Sequence, residues 1–386
     1  MSTSTHPNDP ALETPALLLD VDALQGNLAR MRTHLKQLGA TLRPHVKTAK
    51  STEVVRRALE GQPGGITVST LKEAEYFFEN GIRDILYAVG IAPGSKLTHV
   101  VDLIRRGAGL TLILDNAVAV DSIAKVAKAA GIRVPILLEL DVDGHRAGIA
   151  VGSPDLIAVA RAVHAADSLE LRGVMTHAGA SYECRSAQAL REAAAQERLR
   201  SVAAAEQLRA AGLPCPVVSI GSTPTALFAE SFAGISEVRA GVYMFQDLVM
   251  AGLGVCRIED IALSVLVSVI GHQAERGWLI TDGGWMALSR DRGTSTQPLD
   301  QGYGVVRTAE GAAAPDDLIV VSANQEHGII AQRSGARFDV ERYPVGTLLR
   351  ILPNHACATA AQHDHYNVVR AGSYGPVESW PRISGW

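Results

Sequence analysis

The run Arg43-Pro44-His45-Val46-Lys47 places a basic side chain at every second position. Successive side chains of a β-strand point to opposite faces, so Arg43, His45 and Lys47 would share one face of a strand. Burial of a lysine there disfavours its charged form and lowers the pKa of the amine toward the range of a nucleophile or base. The run is therefore either the working strand of an active site or a surface strand that carries cations.

The composition excludes several classes of protein. The chain has 386 residues, 47% of them hydrophobic, which is typical of a globular protein with a large core. The net charge of −4 gives no electrostatic case for binding nucleic acid or a membrane surface, and no window is apolar enough to span a membrane. Residues 1–13 are polar and read as a loose tail rather than a signal peptide. The four cysteines show no paired framework, so we predict a reducing, cytoplasmic location.

Short β-rich runs alternate with alanine-rich helical stretches through most of the chain. Eight runs are predicted as strands, at residues 42–47, 66–69, 85–88, 110–115, 136–141, 171–177, 217–221 and 237–241. Helices are predicted at 71–80, 117–130, 154–166 and 187–211. Eight strands alternating with helices predict a (β/α)8 TIM barrel, with a doubly wound open sheet as the alternative.

The pattern changes after about residue 255, where the helical stretches give way to β-rich runs between Gly- and Pro-containing turns. We therefore predict an α/β barrel domain over residues 14–255 and a mainly β domain over residues 256–386. The first apolar run, residues 16–19, follows Thr14-Pro15 and is counted with the barrel. The alternative is that this first strand joins the β domain.

Polar side chains follow the predicted barrel strands where each strand ends. The strand endings carry His45 and Lys47, then Asp143 to Gly148, then His177 with Tyr182, then Gly221, and finally Arg239 to Tyr243. The active site of a (β/α)8 barrel lies at the carboxyl ends of its strands. The sequence therefore predicts that these side chains meet in one site.

A phosphate site is predicted at Gly221-Ser222-Thr223, which precedes Pro224. Glycine allows close approach of the backbone, the hydroxyls can donate, and proline suits the start of a helix whose N–H groups face an anion. Barrels often bind phosphate after strands seven and eight, where Gly241 and Tyr243 also lie. The alternative is an ordinary helix N-cap with a glycine turn.

A lysine together with a phosphate site suggests pyridoxal 5'-phosphate, whose aldehyde forms a Schiff base with a lysine. Arg239 could then meet the ring nitrogen, His177 could pack on the ring face, and Arg146 could reach the phenolic oxygen. The alternative is that the arginines pair with neighbouring carboxylates such as Glu237, and that His177 is a satisfied core imidazole.

A second chemical motif is Pro353-Asn354-His355-Ala356-Cys357. His355 and Cys357 are two residues apart, so in extended backbone they face the same way and could bind one zinc-like ion through nitrogen and thiolate. Two protein ligands would leave positions for water and substrate, as in a catalytic metal site. The alternative is an inert cysteine beside a loop histidine.

Taken together, these motifs resemble the D-serine dehydratase and D-threonine aldolase family of fold-type III pyridoxal phosphate enzymes, which are related to alanine racemase. The resemblance runs from Thr14 to the carboxyl end of the chain. It rests on Thr14-Pro15, Arg43-Pro44-His45-Val46-Lys47, Thr67-Val68-Ser69-Thr70-Leu71-Lys72-Glu73, Asp143-Gly144-His145-Arg146-Ala147-Gly148, Gly221-Ser222-Thr223-Pro224, Glu326-His327-Gly328 and Pro353-Asn354-His355-Ala356-Cys357.

The resemblance implies specific roles for these positions. Lys47 matches the Schiff-base lysine, and His355 and Cys357 match the pair that binds a divalent metal (Zn, Mn or Mg). The aldolases carry aspartate in place of Cys357, which favours elimination over aldol cleavage. The resemblance also implies a homodimer. The positions assigned to the cofactor are His45, Lys47, Arg146, His177, Tyr182, Gly221, Ser222, Thr223, Arg239, Gly241 and Tyr243.

The reaction implied by the resemblance is dehydration of a small D-3-hydroxy amino acid. Lys47 would take the α-proton and the metal ion would polarise the β-hydroxyl, so that a 2-oxo acid and ammonia result. Hydroxyaspartate would give oxaloacetate, and serine would give pyruvate. A β-carboxylate would need a cation, for which Arg290 and Arg292 are candidates unless they lie on a solvated loop. The alternatives are a D-threonine aldolase, a D-serine dehydratase and a non-enzymatic pyridoxal phosphate-binding protein.

Overall fold

The computed structural model describes residues 12–92 and 94–386, so most of the predicted polar tail lies outside the described residues. The strands are β1 Ala16–Asp20, β2 Leu42–Pro44, β3 Ile66–Val68, β4 Asp84–Tyr87, β5 Gly109–Leu114, β6 Val134–Asp141, β7 Ile149–Ala150, β8 Leu169–Thr176, β9 Val217–Ile220, β10 Glu237–Ala240, β11 Leu263–Gln273, β12 Trp278–Thr281, β13 Val305–Thr308, β14 Leu318–Ala323, β15 Gly328–Gln332, β16 Leu348–Leu352, β17 His365–Val369 and β18 Glu378–Pro381. The α-helices are α1 Val21–Gln37, α2 Thr52–Leu59, α3 Leu71–Glu79, α4 Ser95–Arg105, α5 Ala117–Ala130, α6 Pro154–Ala165, α7 Ala187–Ala210, α8 Thr223–Phe228, α9 Leu248–Gly252, α10 Trp285–Leu288 and α11 Ala356–Ala360.

Eight parallel strands form a closed ring in the order β2-β10-β9-β8-β6-β5-β4-β3. A parallel backbone bridge between His45 and Thr67 joins the two ends of this order and closes the ring. A helix lies between each consecutive pair of ring strands along the chain. The predicted (β/α)8 barrel is therefore confirmed, and the open sheet is excluded.

Alternation along the barrel strands separates two apolar layers. Leu86, Ile113, Leu137 and Met175 form one small cluster of strand residues. The neighbouring strand residues belong to a much larger cluster that includes helical side chains such as Phe77. This is the division expected of a barrel, whose strands pack side chains both inside the ring and against the outer helices.

The barrel helices begin and end at the signals that the sequence carries. The side chain of Asn116 accepts the backbone N–H of Ala119 and so caps α5, and Gly131 ends the same helix with φ of 65°. Thr70 caps α3 by accepting the N–H of Glu73. The predicted bounds of α5, residues 117–130, are those observed.

The strand that carries the basic run is shorter than predicted. β2 ends at Pro44 rather than at residue 47. The chain then turns, and the N–H of Lys50 donates to the carbonyl of Val46 at 2.8 Å. Lys47 therefore lies in the turn that follows the strand, where its side chain is exposed. The expectation that Lys47 is buried on a strand face is wrong, because strand alternation ends before this residue.

The remaining long strands form a mainly antiparallel sheet in the order β12-β15-β14-β13-β16-β11-β1-β17-β18, with β12 also paired to β11. β1 lies inside this sheet, antiparallel to β11 and parallel to β17. Leu18 of β1 is fully buried there. The mainly β character predicted for the carboxyl-terminal part is confirmed, and its sheet includes a strand from the amino-terminal part of the chain.

The chain divides into two compact units. The barrel unit consists of Leu28–Tyr243 with the last two residues, and the β unit consists of the segment up to Asn27 with Met244–Ser384. Within the described ranges, no helix has both the length and the apolar composition needed to span a membrane.

Candidate active site and metal pair

Two glycines line the carboxyl end of the barrel where the phosphate loop was predicted. Gly221 follows β9 with φ of 136°, and a Cβ atom here would collide with the backbone oxygen of Arg239. A Cβ on Gly241 would lie 2.8 Å from the backbone oxygen of His45. Side chains are thus excluded from both positions, so no Cβ atom there would block the approach of a ligand to the backbone.

The hydroxyls of the predicted phosphate loop take part in its local structure. Ser222 caps α8, with its Oγ accepting the N–H of Thr225 at 3.3 Å and lying 2.9 Å from the Oγ of Ser181. Thr223 Oγ1 accepts the N–H of Tyr243 at 3.1 Å. Ser222 therefore acts as a helix cap, and its own hydrogen is directed to Ser181, whose hydroxyl already donates to the carbonyl of Ala178. Thr223 Oγ1 can still donate its hydrogen to an anion. The bond from Tyr243 to Thr223 also joins the loop after β9 to the segment that follows β10.

His177 lies at the end of β8 and is neutral near pH 7. Its Nδ1 donates to the carbonyl of Gly221 at 3.1 Å, which leaves Nε2 as an acceptor. Burial lowers the pKa of His177 to about 4, assisted by the positive charges of Lys47 and Arg146 although opposed by the bond to Gly221. The ring centroid of Tyr182 lies 6.4 Å away, in the 3₁₀ helix Gly179–Glu183.

Several buried polar atoms near this end of the barrel have no partner among the described residues. They include the hydroxyl of Tyr243 and Nδ1 of His45. Burial and the charge of Lys47 hold the pKa of His45 well below its usual value. An unsatisfied buried polar group costs about 1–3 kcal/mol, so a ligand that supplied partners here would gain affinity. Together with the glycine-lined backbone, these atoms fit a phosphate-bearing cofactor.

The two arginines predicted to contact the cofactor differ in environment. Arg239 is 3% exposed and donates to the Oγ of Ser219 at 2.5 Å and to the carbonyl of Thr176. Arg146 is exposed and lies 3.6 Å from the carboxylate of Glu139. Arg146 thus has a carboxylate partner, as the alternative interpretation required, whereas Arg239 is fixed inside the barrel by neutral oxygens.

Lys47 has no hydrogen bond or ion pair within the described parts of the chain. Its amine is close enough to lower the pKa values of both His45 and His177 by charge repulsion. Arg43, the other cation of the run, is bonded to Glu237 at 2.7 Å and to Asp84 at 2.9 Å. Arg43 therefore does not share one working face with Lys47. Its guanidinium is bonded to carboxylates at the amino ends of β4 and β10.

The predicted metal pair lies at the junction of β16 and α11. His355 precedes α11 and Cys357 lies in its first turn. Burial alone would lower the pKa of His355, but the thiolate of Cys357 and the carboxylate of Asp291 outweigh it and raise the pKa to about 11. The side chains of His355 and Cys357 thus interact directly. A nitrogen–thiolate donor set of this kind suits zinc and similar divalent ions.

The structure adds a carboxylate that sequence patterns did not reveal. Oδ2 of Asp291 accepts from Nδ1 of His355 at 2.8 Å, although the two residues are 64 positions apart. Metal-binding histidines usually donate their second nitrogen to such a carboxylate, which fixes the tautomer and the ring orientation. Within the described ranges, no group of three or more His, Cys, Asp or Glu residues could hold a metal ion. The predicted metal site therefore rests on His355 and Cys357.

Asp247 holds the backbone of the same turn. It is 1% exposed, and its Oδ2 accepts the N–H of Ala356 at 3.0 Å while its Oδ1 accepts the N–H of Met250 at 2.9 Å. The side chain of Asn354 is also fixed, because it accepts from Thr294 at 2.5 Å and donates to Gly302 at 2.8 Å. These contacts hold the residues on both sides of His355 in place. No local pattern around Asp247 indicates this role.

The two arginines considered for a substrate carboxylate flank Asp291. Arg292 donates to Asp300 at 2.6 Å, so its charge is already paired. Arg290 stacks on the ring of Trp285 at 5.0 Å and has no carboxylate partner within the described ranges. Arg290 is the better candidate of the two.

Comparison with known proteins agrees with this organisation. The alanine racemase N-terminal domain model matches residues 19–248, and the serine dehydratase domain model matches residues 262–369. D-threo-3-hydroxyaspartate dehydratase of Delftia sp. (strain HT23) is 52% identical, over 97% of this chain and 98% of that enzyme. D-serine dehydratase of Dictyostelium discoideum is 30% identical, over 96% of this chain and 98% of that enzyme.

The solved structure of the Delftia enzyme superposes with a TM-score of 0.94 at 51% identity and covers 97% of this chain and 99% of that one. Further solved forms of D-threo-3-hydroxyaspartate dehydratase are a histidine-to-alanine mutant and a cysteine-to-alanine mutant in the metal-free form. The two mutated positions are two residues apart in that enzyme.

A closed parallel barrel with a lysine after its first strand, in a chain that also carries an antiparallel β unit, defines an alanine racemase-like enzyme. The chain belongs to the family in which this barrel is followed by a serine dehydratase domain, and the resemblance inferred from the motifs is confirmed.

Proposed function

We propose that this chain is a pyridoxal 5'-phosphate- and divalent-metal-dependent lyase that converts D-threo-3-hydroxyaspartate to oxaloacetate and ammonia. The observation that carries the proposal is the His355–Cys357 pair, with Asp291 bonded to its histidine at 2.8 Å. The pair has the spacing of the histidine and cysteine replaced in the mutants of D-threo-3-hydroxyaspartate dehydratase. The 52% identity to the Delftia enzyme favours hydroxyaspartate over serine as the substrate.

The barrel residues would hold the cofactor by complementary groups. The phosphate would be held by the hydroxyls and by backbone freed of side chains, and the ring would lie among the basic residues. Pyridoxal phosphate, when bound, supplies an electron sink for charge that develops on the substrate α-carbon. The residues assigned to it are Lys47, His45, Arg146, His177, Tyr182, Gly221, Ser222, Thr223, Arg239, Gly241 and Tyr243.

Lys47 would act as the base. Its amine has no partner within the described ranges, so it is available both to bind the cofactor aldehyde and to take the α-proton of the substrate. His177 is neutral near pH 7, since its pKa is about 4, and Nε2 is left to accept a hydrogen bond. Arg239 can only donate hydrogen bonds, so it would present N–H groups to the ring nitrogen.

His355 and Cys357 would hold the divalent ion, and Asp291 would keep His355 oriented toward it. Hydroxide is a poor leaving group, and a Lewis acid on the β-hydroxyl stabilises the charge that develops on it. Zinc, manganese and magnesium are all candidates, and the nitrogen–thiolate donors favour zinc.

Arg290 would recognise the β-carboxylate that distinguishes hydroxyaspartate from serine. We expect Arg290→Ala to raise KM for hydroxyaspartate at least tenfold, because a charged hydrogen bond contributes about 1.5–3 kcal/mol, while KM for D-serine changes little. Arg292→Ala is the matched control, since its charge is paired with Asp300. An unchanged ratio of kcat/KM for the two substrates would remove Arg290 from this role.

Product analysis tests the function itself. The chain is incubated with D-threo-3-hydroxyaspartate, D-serine and D-threonine, with and without a chelator. We expect oxaloacetate and ammonia from hydroxyaspartate, loss of this activity on metal removal, and none in Lys47→Ala. Glycine with an aldehyde would instead identify an aldolase, and the absence of any turnover would leave a pyridoxal phosphate-binding protein.

The enzyme acts on a small hydroxy amino acid. We further propose a homodimer and a cytoplasmic location, which the family resemblance and the scattered cysteines support. Sedimentation equilibrium of the purified holoenzyme tests the first, and fractionation of the source cells tests the second.

A further inference from the structure

The barrel interior contains a chain of charged and polar side chains whose purpose the proposed reaction does not explain. At one end of it lies Arg239, which is 3% exposed. One terminal nitrogen of its guanidinium donates to the Oγ of Ser219 at 2.5 Å, and the other donates to the carbonyl of Thr176. The guanidinium is therefore fixed at two points by acceptors on β9 and β8.

Ser219 is oriented by a carboxylate. Its Oγ donates to Oε1 of Glu237 at 2.6 Å. A hydroxyl has one hydrogen, so this bond commits the hydrogen to Glu237 and turns the lone pairs of Oγ toward Arg239. Without the carboxylate, the hydroxyl could rotate and offer its hydrogen to the guanidinium, which is repulsive.

The chain of contacts continues to the amino end of the barrel. The second carboxylate oxygen of Glu237 accepts from Nε of Arg43 at 2.7 Å. Arg43 also forms a paired contact with Asp84, at 3.0 and 2.9 Å. Arg43, Asp84 and Glu237 line a cavity of about 470 Å³. The network therefore joins this cavity to Arg239 through Glu237 and Ser219.

We infer that Ser219 and Glu237 are positioning residues that hold Arg239 in place for the ring nitrogen of pyridoxal phosphate, an inference that rests on the proposed function. Arg239 is held by neutral oxygens rather than by a carboxylate of its own. Its charge is thus not neutralised by direct contact, while its direction is fixed by Ser219 and Thr176. Arg43 donates to the other carboxylate oxygen of Glu237 and so holds that carboxylate in position to accept from Ser219.

The test measures the affinity for pyridoxal phosphate and its absorbance without substrate, rather than turnover. Ser219→Ala removes the acceptor of Arg239, and Glu237→Gln removes the charge that orients Ser219 at nearly constant shape. We expect both variants to lower the affinity for pyridoxal phosphate, Ser219→Ala by about tenfold or more, because a hydrogen bond from a charged donor is lost. We also expect both to shift the visible absorbance band of the holoenzyme without substrate.

Two control variants separate positioning from general stability. Ser219→Thr keeps the hydroxyl, and Asp84→Asn removes the other partner of Arg43 while leaving Ser219 and Glu237 intact. Both should bind pyridoxal phosphate within about twofold of the wild type and keep its absorbance band, because Arg239 keeps its acceptor. Thermal unfolding of each variant, followed by circular dichroism, is measured alongside.

Wild-type affinity and an unchanged absorbance band in Ser219→Ala and Glu237→Gln would overturn the inference and leave the proposed function standing. An equal effect in Asp84→Asn would also overturn it, because the loss would then follow barrel stability. A wild-type chain that takes up no pyridoxal phosphate would instead refute the proposed function, and the inference with it.

Discussion

Single side chains decide the chemistry at each of the two candidate centres. Asp291 accepts the hydrogen on Nδ1 of His355, so only Nε2 of that ring is left for a metal ion. In the barrel, the carbonyl of Gly221 accepts from Nδ1 of His177 and leaves its Nε2 as an acceptor. In both cases an oxygen atom distant in sequence selects the working nitrogen of a histidine.

Asp291→Ala should weaken metal binding by roughly 10- to 100-fold, the usual effect of removing such a carboxylate partner from a histidine ligand. Metal content after dialysis against a graded chelator measures this directly. Asp300→Ala is the matched control, because Asp300 pairs with Arg292 beside Asp291 and does not contact His355. Equal metal retention in the wild type and Asp291→Ala would contradict the assignment.

The neutral state of His177 predicts a pH dependence of stability. Its pKa is about 4 in the folded chain and 6.5 in the unfolded one, so the unfolded state binds more protons between these values. The contribution of neutral His177 to the free energy of unfolding is complete above pH 6.5. It is lost as the pH falls from 6.5 to 4, at no more than about 1.4 kcal/mol per pH unit.

Urea unfolding of cofactor-free protein at pH 4.5, 5.5, 6.5 and 7.5 measures how steeply the free energy of unfolding rises with pH. We expect a shallower rise in His177→Gln. Exposed His164→Gln is the control and should follow the wild type. Parallel curves for the wild type and His177→Gln would show that His177 titrates normally.

At the scale of elements, the short connections after the barrel strands carry the candidate cofactor site. β2 ends at Pro44, so Lys47 lies in a turn, and the direction of its side chain is not set by the alternation of strand side chains. Gly221 lies between β9 and α8, where its positive φ lets Ser222 begin the helix directly after the strand. Such turns depend on one or two residues, so they are sensitive to single substitutions.

Gly221→Ala should lower the free energy of unfolding by about 2 kcal/mol or more, because alanine at φ of 136° is strained and its Cβ collides with the backbone of Arg239. Gly39→Ala is the matched control, since Gly39 has φ of 68° and open space around it. It should cost about 1–2 kcal/mol, from strain alone. Chemical denaturation of both variants measures the difference, and equal losses would show that the backbone contact is unimportant.

At the scale of the whole molecule, neither of the two units is a single continuous segment of the chain. β1 lies between β11 and β17, so a strand near the start of the chain completes the sheet of the β unit. The same unit contains His355 and Cys357. The stability of the unit that carries the predicted metal pair therefore depends on side chains from the opposite end of the sequence.

Leu18→Ala should destabilise the β unit by about 2–5 kcal/mol, because Leu18 is fully buried in a cluster with Leu266 and Val369. Tryptophan fluorescence reports mainly on this unit, since three of the four tryptophans, Trp278, Trp285 and Trp380, lie in it. The unfolding midpoint should fall in Leu18→Ala and stay nearly unchanged in Leu199→Ala, whose side chain is 56% exposed. A similar midpoint for both variants would show that β1 is not an essential strand.

Local patterns predicted much of this molecule. The barrel count and the bounds of α5 follow from hydrophobic periodicity and helix caps, which act over a few residues. The cofactor site was predicted because parallel strands bring their carboxyl ends together, whatever their separation in sequence. The roles assigned to Lys47, His355 and Cys357 remain predictions, while the family and fold they suggested are confirmed.

The sequence by itself determined the alternation of strands and helices, the glycine turn at Gly221 and the His-x-Cys pair, because each is encoded in neighbouring residues. Only the tertiary structure decided that Asp291 holds His355, that Ser219 and Glu237 hold Arg239, and that β1 joins the carboxyl-terminal sheet. Those contacts join distant segments through strand register and loop paths. No local pattern specifies them, since the same residues would be equally compatible with solvent-exposed positions.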